Sequence, residues 1–323
     1  MERNNVMDTY LPGKTPIVFV PGLFGSMSNQ IIPGTGNWNF GFARTAYEPF
    51  IRILEQMGYR LNEELFIAFY DWRQPIAYCA EQYLVPIIEL AKQKTGSSQV
   101  NLICHSMGGL VSRAYVQGDN YQWDVDQLLI LATPNAGSPV SYCYWAGGRL
   151  PRTVSPKKNV VELYMNVYLA YLEKSIPRNK VEAVQKHFPS LIDLVPGYAY
   201  GDYLLEKQDG IEKFVPYNTM VVQNQFLDQL NSAMELIWER SISVTLIAGI
   251  GNETIQYLQT VPSLSPQRWV DGRAVGAINS SFGDGNVMAS SVFAMIGEKY
   301  VVQATHLDIL YKSESIIRQV LER

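Results

Sequence analysis

The chain of 323 residues contains three histidines, His105, His187 and His306, and one serine, Ser106, whose setting suits a nucleophile. Ser106 lies in Cys104-His105-Ser106-Met107-Gly108-Gly109, after the apolar run Val100-Asn101-Leu102-Ile103 and before the helix-like Leu110–Val116. A serine at a tight strand-to-helix corner has its hydroxyl lifted clear of the sheet. The close crossing of strand and helix there demands small flanking residues. Gly108 meets that demand. Two residues before the serine, Cys104 stands where glycine is usual, and it is small enough to be accommodated at some strain. Such a hydroxyl is a weak nucleophile until a base takes its proton, and a carboxylate must orient and stabilise that base.

His306 is the expected base, because it follows the strand-like Tyr300–Ala304 and precedes a helical C-terminal segment. His105 adjoins Ser106 at a strand end, where side chains alternate faces, so it should point away from the hydroxyl as a packed or supporting histidine. His187 falls in Gln185-Lys186-His187-Phe188-Pro189, within a segment read below as an insertion. Asp284 is the expected acid. It sits in Phe282-Gly283-Asp284-Gly285-Asn286-Val287, a glycine-flanked loop whose N–H groups can hydrogen-bond a carboxylate. Its rivals are Glu253, which follows the strand Val244–Ala248, and then Asp271. A tetrahedral oxyanion needs N–H donors as well. Met107 follows the nucleophile, and Leu23 lies in Pro21-Gly22-Leu23-Phe24-Gly25-Ser26 after the buried strand Pro16–Val20; Phe24 is the alternative to Leu23.

The elements that must hold these groups alternate. Strands are predicted near 16–20, 65–70, 99–104 and 127–132, and helices near 44–58, 76–94 and 107–117. This pattern builds a parallel sheet with helices on both faces. It breaks after Thr133-Pro134-Asn135-Ala136-Gly137-Ser138 and resumes near Ser243. The intervening residues are rich in tyrosine and lack a strong buried strand. They read as a cap inserted over the active-site end, dividing the chain into core residues 1–137, cap 138–242 and core 243–323. Inside the cap, Val160–Glu173 has Glu162, Asn166 and Glu173 within about 40° on a helical wheel, with apolar residues around the rest. Such a helix is either cap core or a lid lining an acyl pocket.

Composition narrows the function classes. The chain is 47 % hydrophobic and 17 % charged with net charge −4, which gives no basic footprint for nucleic acid and no polybasic membrane anchor. Cys79, Cys104 and Cys143 have unrelated spacings, so neither a disulfide framework nor a zinc site is expected. The first residues lack the apolar core of a signal peptide, and no run approaches the roughly 20 apolar residues that span a bilayer. The expectation is a soluble, cytoplasmic protein.

Four segments together resemble the lecithin:cholesterol acyltransferase-like branch of the α/β-hydrolases, which includes bacterial lipases, phospholipases and acyltransferases. They are Val20-Pro21-Gly22-Leu23-Phe24-Gly25-Ser26, Phe69-Tyr70-Asp71-Trp72-Arg73, His105-Ser106-Met107-Gly108-Gly109 and Gly283-Asp284-Gly285-Asn286-Val287, with a histidine near the C-terminus. The resemblance covers residues 16–137 and 243–306. In the cap it is weaker, chiefly at Pro189–Gly197. It implies an α/β-hydrolase fold, with a mostly parallel central sheet, helices on both faces and an inserted, mainly helical cap. It also implies a triad of Ser106, Asp284 and His306, which favours Asp284 over Glu253. The activity implied is that of a serine carboxylic-ester hydrolase, lipase- or phospholipase-like, working through an acyl-enzyme on a lipid or acyl-ester substrate. The alternatives are a lipid acyltransferase with an alcohol acceptor, or a catalytically silent binding protein. Transient contact of the cap with a membrane surface fits the same substrate class. No cofactor is required. Some lipases of similar fold hold zinc with two histidines. Here His306 is committed and His105 adjoins the nucleophile, so no metal site is expected. Asp71 and Arg73 are expected to form an ion pair close to the site.

Overall fold

Short aliphatic runs form the strands of a six-stranded parallel sheet in the computed structural model, which describes residues 14–28, 37–155, 180–265 and 267–323. The predicted cap helix over 160–173 lies outside the described residues. The strands are β1 (Ile17–Val20), β2 (Leu65–Ile67), β3 (Val100–His105), β4 (Val125–Leu131), and, after a long excursion, β7 (Ser243–Ile250) and β10 (Glu298–Gln303). Their spatial order is β10-β7-β4-β3-β1-β2, all pairs parallel. Both faces are covered at the centre. Val18 and Val20 point into one apolar cluster, and Ile17 and Phe19 into the other. A strand buried on both faces reads as a continuous apolar run, and that is why β1 was legible.

Helix α1 (Arg44–Gln56) covers the second face through Ala46, Tyr47, Phe50, Ile51 and Leu54, the i, i+3, i+4 spacing of a one-sided helix. Burying Phe50 completely contributes about 2–3 kcal/mol. Helix α2 (Met107–Val116) is buried at nine of its ten positions, packed on the sheet and bonded to Asn231 and Arg240 on its other side. The predicted helix over 76–94 is present as three contiguous helical pieces spanning 76–95, the middle one, Ala80–Leu84, wound with the wider π pitch.

A second sheet was not foreseen. Leu204–Gln208 (β5) and Ile211–Phe214 (β6) form a hairpin within the segment expected to be helical, and they join Thr254–Val261 (β8) and Arg273–Ser280 (β9) in the order β9-β8-β5-β6. Sequence between 138 and 242 thus shares a sheet with sequence beyond 243. The hairpin escaped notice because β6 is exposed along its whole length, Ile211-Glu212-Lys213-Phe214, and carries no buried pattern. Among the described residues, no helix is long and apolar enough to cross a membrane.

Candidate active site

The three chemically distinctive residues meet at the C-terminal ends of the parallel strands. Ser106 follows β3 directly with φ 52° and ψ −128°, a conformation costly for any residue with a side chain, at about 1–3 kcal/mol. Hydrogen bonds hold it there. The Ser106 N–H donates to Leu131 O (2.9 Å), while Thr133 Oγ1 donates to Ser106 O (2.7 Å). Glycines create the room. A Cβ on Gly108 would overlap the carbonyl oxygens of Val20 and Pro21, one on Gly109 would overlap Thr133, and one on Gly22 would fall 2.8 Å from Ser106 Cβ. Cys104 fits at the end of the strand. It continues the regular strand, with Sγ 2.9 Å from Ser112 Oγ, and burial pushes its thiol up to about 12, so it is no rival nucleophile.

His306 Nε2 lies 2.9 Å from Ser106 Oγ, and its Nδ1 lies 2.7 Å from Asp284 Oδ2. The other carboxylate oxygen, Oδ1, accepts the N–H groups of Asn286 (2.8 Å) and Val287 (2.7 Å). The backbone N–H of His306 donates to the Asp284 carbonyl at 2.9 Å, so the two loops are tied by main chain as well as side chain. Asp284 sits at the end of β7 although it is far downstream in sequence. The chain leaves β7 at Gly251-Asn252, runs out and back through β8 and β9, and returns with Asp284 bridged to Asn252. A Cβ on Gly249 would fall 2.7 Å from Asp284 Cβ, so glycine there is what admits the acid. Glu253 is exposed on the cavity wall. Asp271 accepts the N–H groups of Val221 and Val222 at 2.6 and 2.8 Å. Neither is the partner of His306 Nδ1.

His105 points away from Ser106 Oγ. Its ring is 1 % exposed, with Nδ1 2.8 Å from Tyr47 Oη and Nε2 2.7 Å from the His306 carbonyl oxygen. Burial, reinforced by the neighbouring His306, lowers its pKa to about 3. Tyr47 was not singled out from sequence: on an amphipathic helix it reads as one more core aromatic. His187 ends the helix Lys180–His187.

Ser106 opens into a cavity of about 850 Å³. Leu23 and Phe24 line it from the loop after β1, while Val140, Val154 and Leu194 line it from the stretch between β4 and β7. Phe24, with φ 61°, packs its ring on Trp72, and Trp72 stacks on Phe188. Asp71 and Arg73 form the expected ion pair, with two contacts of 2.9 Å. Arg113, fully buried on α2, reaches the side-chain oxygens of Asn135 and Asn231 at 3.2 and 2.9 Å. It thereby ties α2 to the helix Gln225–Ser232. Among the described residues, no three His, Cys, Asp or Glu side chains converge as a metal-ligand set.

The sequence model of the lecithin:cholesterol acyltransferase family matches residues 41–165. No curated protein sequence matches the chain. Among solved structures, the mature form of Bacillus licheniformis lipase BlEst2 is similar at 14 % identity, covering 96 % of this chain and 93 % of that one, with a TM-score of 0.50. The propeptide form of the same lipase is similar at 15 % identity, covering 95 % of this chain and 50 % of that one, with a TM-score of 0.52. At such identities the likeness establishes the fold, that of an α/β-hydrolase. The family match, confined to residues 41–165, is likewise a likeness, to the lecithin:cholesterol acyltransferase family over that part of the chain.

Proposed function

We propose that the protein is a serine carboxylic-ester hydrolase of lipase or phospholipase type, acting through an acyl-enzyme. The observation that carries this reading is the unbroken hydrogen-bond path from Asp284 through His306 to Ser106 at the floor of a largely apolar cavity. His306 takes the Ser106 proton as the hydroxyl attacks the ester carbonyl, and Asp284 orients the imidazole and stabilises its charged form. The base then delivers the proton to the departing alcohol, and an incoming water repeats the sequence to release the acid. The Met107 N–H, at the start of α2, and the Leu23 N–H are the proposed donors to the oxyanion. The Gly22 N–H is already engaged with Tyr47 Oη at 2.9 Å, which leaves Leu23 as the next donor along the loop. Residues 138–242 act as a cap, since Val140, Val154 and Leu194 close the cavity from that side. An acyl chain lying against them fits a lipid or other acyl-ester substrate. The match to the lecithin:cholesterol acyltransferase family supports a second reading, in which a lipid alcohol replaces water as acceptor on the same residues.

An alkyl fluorophosphonate should label Ser106, and Ser106→Ala should lose labelling and ester turnover together. Retention of turnover in Ser106→Ala would end the mechanism. Product analysis with and without added long-chain alcohol separates hydrolase from acyltransferase.

A further inference from the structure

Three hydrogen bonds run in series beneath the nucleophile. The Gly22 N–H donates to Tyr47 Oη at 2.9 Å. Tyr47 Oη lies 2.8 Å from His105 Nδ1, and His105 Nε2 lies 2.7 Å from the carbonyl oxygen of His306. Only one arrangement of protons satisfies all three. A carbonyl oxygen can only accept, so the Nε2 atom of His105 carries the proton, and in the neutral ring Nδ1 must then accept. The Tyr47 hydroxyl, whose oxygen accepts from Gly22, supplies the proton that Nδ1 needs. The imidazole is neutral for a physical reason, because burial and the nearby His306 ring hold its pKa near 3. Burial likewise raises the phenol of Tyr47. Every group in the series is buried, so none can exchange its partner for water without cost.

The two ends of this series are the two loops whose spacing the proposed chemistry requires. Gly22 immediately precedes Leu23 and abuts Ser106. At the other end, the His306 backbone is held at both its polar atoms, the N–H by the Asp284 carbonyl and the carbonyl by His105. Side-chain bonds alone leave an imidazole free to shift along the strand end. A clamped carbonyl removes that freedom. We propose that Tyr47 and His105 are positioning residues that lock the oxyanion loop and the base-bearing loop at one separation. The inference rests on the triad reading given above.

Tyr47→Phe removes both bonds made by the phenolic oxygen, to Gly22 and to His105, while keeping the ring that packs on Phe19 and Phe40. The expected result is a kcat about 10- to 100-fold lower with KM within about threefold. The affinity for an alkylboronic acid, which forms a tetrahedral adduct on Ser106, should fall by the same factor as kcat, and the melting temperature should be followed in parallel. His105→Gln keeps a donor near the Nε2 position, and His105→Asn keeps an acceptor near the Nδ1 position. Each should lose activity to a similar degree. The double variant Tyr47→Phe with His105→Gln should be no worse than the poorer single variant, because a series is already broken by one cut. Nitrogen-15 NMR of the native protein should find His105 protonated on Nε2 only.

A Tyr47→Phe enzyme with unchanged kcat and boronate affinity overturns the proposal, as does full additivity in the double variant or the opposite tautomer of His105. Those results leave the triad intact so long as fluorophosphonate still labels Ser106. Failure of that labelling in the native enzyme removes the triad reading and this inference together. If Tyr47→Phe does not fold, the two His105 variants and the tautomer decide the question.

Discussion

The Ser106 corner and the Asp284 loop are built with different emphasis. The corner is a contiguous stretch of strand, turn and helix in which sterics weigh most: Gly22, Gly108 and Gly109 clear the space around Ser106, whose positive φ is then held by its bonds with Leu131 and Thr133. The Asp284 loop is assembled from chain segments far apart in sequence; Gly249 clears its place, and hydrogen bonds do most of the holding. Asp284 has an extended-bridge contact to Asn252 and accepts two N–H groups, while Thr254 Oγ1 accepts the Gly285 N–H at 2.8 Å. Steric placement is all or none, because close-packed backbone atoms cannot yield. Placement by hydrogen bonds is graded, since each bond contributes about 1 kcal/mol net. Damage at the corner should therefore cost the fold, and damage at the loop should cost rate in steps.

The largest effect tests the identity of the acid. Asp284→Asn should lower kcat by about 10⁴ with little change in melting temperature, as replacement of such an acid by its amide does elsewhere. Glu253→Gln should stay within about threefold of wild type. A reversed ranking in steady-state kinetics would hand the acid's role to the cavity-wall carboxylate.

Gly108→Ala comes next. Its Cβ would press on the carbonyl oxygens of Val20 and Pro21, which belong to a buried strand end. A loss of about 2–4 kcal/mol in urea unfolding is expected. A loss below about 0.5 kcal/mol would mean that the corner yields and that the contrast drawn with the Asp284 loop is false.

The third test concerns acid. Because His105 has its folded pKa lowered to about 3, the unfolded chain binds a proton that the folded chain refuses between about pH 6.5 and 3. Its contribution to stability is thus full above pH 6.5 and is lost as pH falls, at about 1.4 kcal/mol per unit. Asp193, whose carboxyl burial raises to about 6, works in the opposite sense over part of that range. It is common to native and variant, and cancels in the comparison. His105→Asn should therefore lose roughly 2–3 kcal/mol less than the native protein on going from pH 6.5 to 4.5, read by urea midpoints. Parallel pH profiles would show that His105 does not hold its neutral form.

The smallest effect belongs to the loop. Thr254→Val removes the acceptor for Gly285 N–H and the donor to Asn252 O. It should lower kcat about fivefold, equivalent to about 1 kcal/mol. A loss as large as that of Asp284→Asn would show that the loop, too, is an all-or-none structure.

Much of this molecule is legible in its residues taken in order. The buried runs at Ile17–Val20 and Val100–His105, the small residues around Ser106 and the one-sided helix Arg44–Gln56 each encode their structure within a dozen positions, because backbone sterics and side-chain periodicity act over that range. Ser106 and His306 were accessible for the same reason: each follows a recognisable strand. Spacing left Asp284 and Glu253 open, and the family resemblance favoured Asp284. The contact of Asp284 with His306 depends on β8 and β9 carrying the chain away from the end of β7 and back, so that two places distant in sequence become one place in space. The hairpin Leu204–Phe214 was hidden because its outer strand buries nothing. Tyr47 was hidden because a core aromatic and a buried hydroxyl bridging two loops look alike until partners are known. Local patterns report the faces that residues bury; only the tertiary structure decides which polar atoms, brought together from far apart, must satisfy one another.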